Sequence, residues 1–72
     1  MDLIRIFLFM NRVLVCYKHI PTDQIFVDTK KDFKEICMYH GEENYLKLDE
    51  KLCYSKKDEI NYTNSIKTKF TK

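Results

Sequence analysis

The sequence is poor in residues that break regular structure. It has no tryptophan or alanine, a single glycine, Gly41, and a single proline, Pro21. With one glycine, it has no glycine-rich loop of the kind that cradles phosphates. Arginine is also scarce, since Arg5 and Arg12 are the two arginines among 13 basic residues. Ile, Lys, Asn, Phe and Tyr are plentiful, and their AT-rich codons suggest an AT-rich genome, such as that of many phages, large DNA viruses, low-GC bacteria and some parasites.

Cysteine is limited to Cys16, Cys37 and Cys53. An odd number of cysteines cannot form a complete internal disulfide framework, which favours a reducing, cytoplasmic compartment. The apolar stretch over residues 3–17 is interrupted by Asn11 and Arg12, so we interpret it as core rather than as a signal peptide or a membrane span.

A chain of 72 residues is too short for more than one domain. A domain of this size buries only about 60% of its unfolded surface, so its core is thin. Hydrophobic residues make up 44% of the chain, which is typical of a folded protein. We therefore predict one small domain over residues 1–72, with frayed final residues and little room for a recessed catalytic pocket.

The first half of the chain predicts a hairpin followed by a strand and a helix. Residues 2–18 are predicted to form a β-hairpin that turns at Met10-Asn11, with apolar side chains on one face and basic ones on the other. The same segment also fits an amphipathic helix. A short strand is expected at Gln24–Val27. A helix capped by Asp28 or Thr29 should end at Gly41. Its apolar stripe has helical spacing and contains Phe33, Ile36, Cys37 and His40.

The second half alternates with a period of two, which is typical of strands. Strands are expected at 45–48 and 52–56 around a turn at Asp49-Glu50, with a final strand pair over residues 60–70. The predicted fold class is therefore α+β: a small antiparallel β-sheet, made of an N-terminal hairpin and a C-terminal meander, packed against one α-helix.

Two Cys-x-x-His units, Cys16 to His19 and Cys37 to His40, contain the donor types of a tetrahedral zinc site. Strand residues three apart point to opposite faces, so Cys16 and His19 converge only if the strand ends between them. The alternative is that Cys37 fills the core and His40 complements the helix dipole. We predict no metal and no cofactor.

Catalysis is not expected either. A cysteine nucleophile needs a positioned base, an orienting group and an oxyanion hole, and no pattern in the sequence indicates that set. We therefore expect a non-enzymatic binding protein, of the kind that phages and viruses encode to inhibit or recruit a host protein.

The basic C-terminal part suggests a different partner. Residues 51–72 contain six lysines and two acidic residues, a net charge of +4, with tyrosines between them. Such a surface could hold phosphates and stack bases, so a nucleic-acid-binding regulator is the alternative function. Lysines on outer strands also protect sheet edges from aggregation, which needs no nucleic acid.

The predicted partner-binding surface lies on the perimeter of the sheet and the helix, because the core residues are just enough to pack one helix on one sheet. Exposed strand edges pair readily with a partner's extended segment or with a second copy of the chain. The predicted partner is a protein, a homodimer is the other outcome of edge pairing, and no membrane is expected. The residues expected to make contact are Tyr39, Tyr54, Tyr62, Lys67 and Lys69.

Overall fold

The computed structural model describes residues 12–70 of the chain. Along these residues the chain forms a strand, a second strand, a helix, a short 3-10 turn, a third strand and a second helix. These are β1 (Val13–His19), β2 (Gln24–Thr29), α1 (Lys30–His40), the turn Glu42–Asn44, β3 (Tyr45–Leu52) and α2 (Lys56–Phe70). The strands form one antiparallel sheet in the order β2-β1-β3, which confirms the α+β class.

Strand β1 is the centre of the sheet, with β2 and β3 hydrogen-bonded to its two edges. Val15 and Cys16 in this strand are fully buried. The predicted strand over Val13–Tyr17 is confirmed, and the helical alternative is wrong for these residues. The other half of the predicted hairpin, residues 2–10, lies outside the described residues.

Helix α1 begins and ends where the sequence predicts. The Thr29 side chain accepts a hydrogen bond from the Asp32 amide at 3.2 Å, which satisfies one free N–H of the first turn. Gly41 follows the last helical residue with φ of 91°, a left-handed value that favours glycine. The helix packs on the sheet through Phe33, whose ring centroid lies 4.7 Å from that of Tyr17.

Strand β3 runs through the position where a turn was expected. Cys16 pairs with Asp49 and Tyr17 pairs with Lys47, so Leu48 is an extra residue that makes a β-bulge. Asp49 and Glu50 remain in the strand. The turn prediction was wrong because both carboxylates have tertiary partners: Asp49 accepts from Tyr62, and Glu50 accepts from Lys47 and Lys30.

Helix α2 replaces the predicted C-terminal strand pair, so that part of the meander was wrong. Ser55 accepts a hydrogen bond from the Asp58 amide, and the Asp58 carboxylate accepts one from the Tyr54 amide. These bonds cap the first turn, and lysines in the last turn complement the helix dipole. Tyr62 and Ile66 are spaced by four, which puts both on the buried face of the helix.

The two helices cover opposite faces of the sheet, whereas the sequence predicted one helix on one face. Successive strand residues point to opposite faces, so Cys16 and Tyr17 separate the two sides. Cys16 packs in a buried cluster with Tyr62 and Ile66 of α2. Tyr17 packs against Phe33 of α1. We call these sides the α2 face and the α1 face.

Candidate functional site

The two outer strands of the sheet differ in how well their edges are protected. Strand β3 has a bulge at Leu48 and includes Lys47 and Lys51, and bulges and lysines are features that prevent edge pairing. Strand β2 pairs with β1 in an unbroken register and contains no lysine, proline or bulge. Its central residues are Ile25-Phe26-Val27. Among the described residues, the outer edge of β2 is therefore the one open to pairing with another chain.

On the α1 face, an open cleft of about 470 Å³ adjoins this edge. Three aromatic residues contribute to its wall. The Tyr17 ring stacks on Phe26 at 5.6 Å between centroids and meets Tyr45 edge-on at 5.7 Å. We call this site the aromatic cleft; its lining residues are Tyr17, His19, Thr22, Gln24, Phe26, Asp28, Ile36, His40 and Tyr45.

The Tyr17 hydroxyl donates a 2.5 Å hydrogen bond to Oδ2 of Asp28 in the wall of the aromatic cleft. Burial raises the pKa of Tyr17 above its ordinary value, and the bond to Asp28 raises it further. Tyr17 therefore stays a neutral phenol over the physiological pH range. The pair holds the Asp28 carboxylate beside the aromatic rings.

Two histidines stand in the same cleft, on different elements. Nδ1 of His19 lies 2.7 Å from the Thr22 hydroxyl, and the His19 ring lies 5.2 Å from that of Tyr45. His40 is the last residue of α1, and its carbonyl accepts a hydrogen bond from the Asn44 side chain. Both residues line the cleft, and Nδ1 of His19 is already engaged by Thr22.

The α2 face has its own groove beside β2, with a volume of about 430 Å³. Val27 and Thr29 of β2 form one wall, and residues of α2 form the other. Ile60 projects there and is 51% exposed. We call this site the α2 groove; its lining residues are Leu14, Val27, Asp28, Thr29, Asp32, Lys56, Glu59, Ile60, Thr63 and Asn64. Grooves on both faces thus meet at the edge of β2.

The residues that were predicted to contact a partner do not lie on one surface. Tyr39 on α1 is 78% exposed and lines a third, smaller groove of about 280 Å³ with Asp28 and Asp32. Tyr54, which is 76% exposed, lies between β3 and α2. Lys67 and Lys69 are exposed near the end of α2, across the sheet from α1.

The predicted position of Tyr62 was wrong. This residue was expected on the perimeter of the fold, and it lies in the core. It is only 6% exposed, and its hydroxyl donates to Oδ2 of Asp49 at 3.1 Å. Burial and this bond raise the pKa of Tyr62. The error follows from the helix: a tyrosine assigned to an outer strand is instead on the inner side of α2.

The residues around the β2 edge were not identified from the sequence as a site. Phe26 and Asp28 were expected in a short strand and at a helix cap, and His40 on a core stripe. Gln24–Thr29 has no lysine, but residues 35–46 and 58–66 lack it too, so this absence was not a usable signal. The grooves themselves depend on where the two helices pack, which a local pattern does not report.

The two Cys-x-x-His units do not converge. Cys16 is buried on the α2 face, whereas His19 lies in the aromatic cleft on the α1 face. Over residues 12–70, no group of three or more His, Cys, Asp or Glu side chains is placed to hold a metal ion. The three cysteines are free thiols. Burial raises the pKa of each, so none is activated as a nucleophile.

Comparison of the chain with protein-family models, with curated proteins and with solved structures found no match. Within the described part of the chain, no helix is long and apolar enough to cross a membrane. What the β2 edge can bind therefore has to be inferred from its own geometry and chemistry.

Proposed function

We propose that this protein is a non-enzymatic binding protein that takes up an extended segment of a partner protein along the edge of β2. The observation that supports this most is the position of the two grooves. Side chains of an added strand alternate between faces, so one set would enter the aromatic cleft and the other the α2 groove. Main-chain hydrogen bonds to β2 would supply affinity and the grooves would supply selectivity.

The apolar character of the edge supports the same proposal. Phe26 is 40% exposed although it is a large aromatic residue on an outer strand. Exposed apolar edges without lysine or a bulge are uncommon in soluble proteins unless something covers them. A partner segment would cover Phe26 and pair the outward backbone groups of β2. Such a protein acts by holding or blocking the captured segment, which agrees with the inhibitor-like accessory role expected from the sequence.

The side-chain chemistry of the aromatic cleft favours binding over catalysis. Tyr17 and Asp28 are hydrogen-bonded in a way that keeps the phenol protonated, the reverse of an activated nucleophile. His19 is hydrogen-bonded to the Thr22 hydroxyl. No described residue takes the role of the third group, which orients the histidine in a catalytic triad.

The test is to select ligands from a displayed library of random peptides and to map their binding by amide chemical shifts. We expect the shift changes to concentrate on Gln24–Thr29. Phe26→Lys should lower the affinity for the selected peptides by about tenfold or more, because it places a solvated charge on the edge of β2. The matched control is Leu46→Lys, on the protected strand β3, where the apolar residue replaced is 51% exposed, against 40% for Phe26.

Mapping on the unaltered protein keeps the test valid even if Phe26→Lys disturbs folding. Shift changes confined to β3 or to α2 would contradict the proposal. Shifts of β2 amides that depend on protein concentration and not on peptide would show that the edge pairs with a second copy of the chain.

A second candidate function, nucleic-acid binding, is favoured by lysines on α2. Lys56, Lys57 and Lys67 are all exposed on this helix. The aromatic part of the hypothesis is weaker, since Tyr62 is buried and cannot stack on a base. Affinity for a random-sequence single-stranded DNA that falls steeply with added salt would support this function. Lys67→Glu with Lys69→Glu should then abolish binding, whereas Lys34→Glu on α1 should not.

A further inference from the structure

The aromatic cleft offers a ligand one exposed ring beside the β2 edge. Tyr17 is buried and Tyr45 lies on β3, beyond β1, whereas Phe26 is on β2 itself and is 40% exposed. The faces of aromatic rings attract cations, and a guanidinium group can also stack on them. Aliphatic side chains would gain contact area there but would make no use of the adjacent carboxylate.

The charge of the cleft points to the same kind of ligand. Its lining includes the Asp28 carboxylate and no lysine or arginine. The adjoining groove below Tyr39 adds Asp32 and Glu35. Glu35 already lies 3.3 Å from Lys31, so the negative charge left for a ligand comes mainly from Asp28 and Asp32. The residues that line these two grooves therefore include three carboxylates and no lysine or arginine, in a protein whose net charge is +2.

This charge also argues against a second copy of the chain as the occupant. A second β2 strand, Gln24–Thr29, contains no lysine or arginine and would bring its own Asp28 to the interface. Like charges placed close together across an interface disfavour the complex. A basic segment would instead neutralise them.

We infer that the aromatic cleft accepts a positively charged side chain, arginine or lysine, from the segment that pairs with β2. This inference rests on the proposed strand addition at β2. The ammonium or guanidinium group would lie against the exposed Phe26 ring and meet the Asp28 carboxylate, both on β2 next to the added strand. The next residue of the segment would point into the α2 groove, where an apolar side chain can contact Val27 and Ile60. Lys56 lines this groove and makes it less favourable for a second cation than the aromatic cleft, which has no lysine in its lining. The recognised pattern is therefore basic and apolar residues in alternation.

The test uses three synthetic peptides with blocked ends: Arg-Val-Arg-Val-Arg-Val and the same sequence with glutamine or with glutamate in place of arginine. Binding is measured by titration and by amide shifts of the full chain. We expect the arginine peptide to bind at least about tenfold more tightly than the glutamine peptide, and the glutamate peptide to bind most weakly.

The variant Asp28→Asn tests whether the preference for the arginine peptide depends on the Asp28 carboxylate. Asparagine keeps the shape of the side chain and an oxygen that can accept from Tyr17, but it removes the charge. We expect it to weaken binding of the arginine peptide by about fivefold or more and to weaken binding of the glutamine peptide much less. The matched control is Asp23→Asn, in the β1–β2 loop, where φ of 62° is also accessible to asparagine. It should change neither affinity.

The outcomes separate this inference from the function on which it rests. If arginine and glutamine peptides bind β2 equally well, strand addition stands and the inference of a cationic side chain is wrong. If the arginine peptide is unaffected by Asp28→Asn, the cation lies elsewhere and the inference is again wrong. If no peptide shifts the β2 amides at millimolar concentration, both proposals fail.

Discussion

Tyr62 shows how one hydrogen-bonded side chain joins a helix to the sheet. Its ring lies in the cluster with Cys16 and Cys53, and its hydroxyl donates to Asp49 of β3. A buried tyrosine is stable when its hydroxyl has a partner, since an unpaired polar group in the core costs free energy. Tyr62 therefore contributes both apolar burial and a specific link between α2 and β3.

Substitutions at Tyr62 should reveal both contributions. Tyr62→Phe removes the bond to Asp49 and should lower the free energy of unfolding by about 1–2 kcal/mol. Tyr62→Ala also leaves a cavity and should cost about 3–5 kcal/mol, enough to unfold much of a domain this small. Urea unfolding followed by circular dichroism measures both changes.

Tyr54 provides the control for Tyr62, because it is a tyrosine that is 76% exposed. Tyr54→Ala should change the free energy of unfolding by no more than about 0.5 kcal/mol. A Tyr62→Ala protein as stable as Tyr54→Ala would contradict the buried position of Tyr62.

At the level of elements, Glu50 ties α1 to β3. Its carboxylate accepts from Lys47 of the same strand at 2.9 Å and from Lys30 of α1 at 3.5 Å. The hydrogen bond from Lys47 lowers the pKa of Glu50, the positive charge of Lys30 adds to this, and partial burial opposes it. All three side chains are about one-third exposed or more, so solvent weakens these interactions.

The direction of that shift predicts how stability depends on pH. A glutamate with a lowered pKa in the folded state contributes stability above its unfolded pKa of about 4.3. The contribution is lost as the pH falls through the lower, folded value. The difference in free energy of unfolding between the native chain and Glu50→Gln should therefore shrink from about pH 6 to about pH 3.

The measurement is urea unfolding at a series of pH values, with Glu42→Gln as the control on the exposed 3-10 turn. A difference for Glu50→Gln that stays constant down to about pH 3 would show that Glu50 gains nothing from its lysine partners in the folded state.

For the whole molecule, stability should be greatest along β1. This strand is bonded on both edges and covered on both faces, with Val15 and Cys16 fully buried. The outer strands have one bonded neighbour each among the described residues. In a core this thin, the amides at the centre of the sheet should be the best protected from hydrogen exchange.

Native-state hydrogen exchange tests this arrangement. Amides of Val15, Cys16 and Tyr17 should exchange only through global unfolding, whereas amides of β2 that face outward should exchange through smaller openings. A peptide bound at β2 should slow the second group selectively. Slower exchange in α2 than in β1 would place the most stable part of the molecule elsewhere.

Local patterns predicted the described fold well from Val13 to Gly41. Thr29 and Gly41 are a helix cap and a helix stop whose chemistry acts within a few residues, so α1 could be placed from the sequence. The β-branched and aromatic residues of Val13–Tyr17 likewise predicted a strand. For α2 the signals conflicted: Ile60, Tyr62 and Ile66 fit a period of two, while the capping pair Ser55 and Asp58 fits a helix.

By itself, the sequence determined the α+β class, the bounds of α1 and the lack of a glycine-rich phosphate-binding loop, because these depend on composition and short-range chemistry. Only the tertiary structure decided that Tyr62 is buried and that Asp49 and Glu50 continue a strand. It also decided that two grooves border the unprotected edge of β2. Each of these depends on contacts between residues far apart in the chain, where packing and long-range hydrogen bonds outweigh local preference.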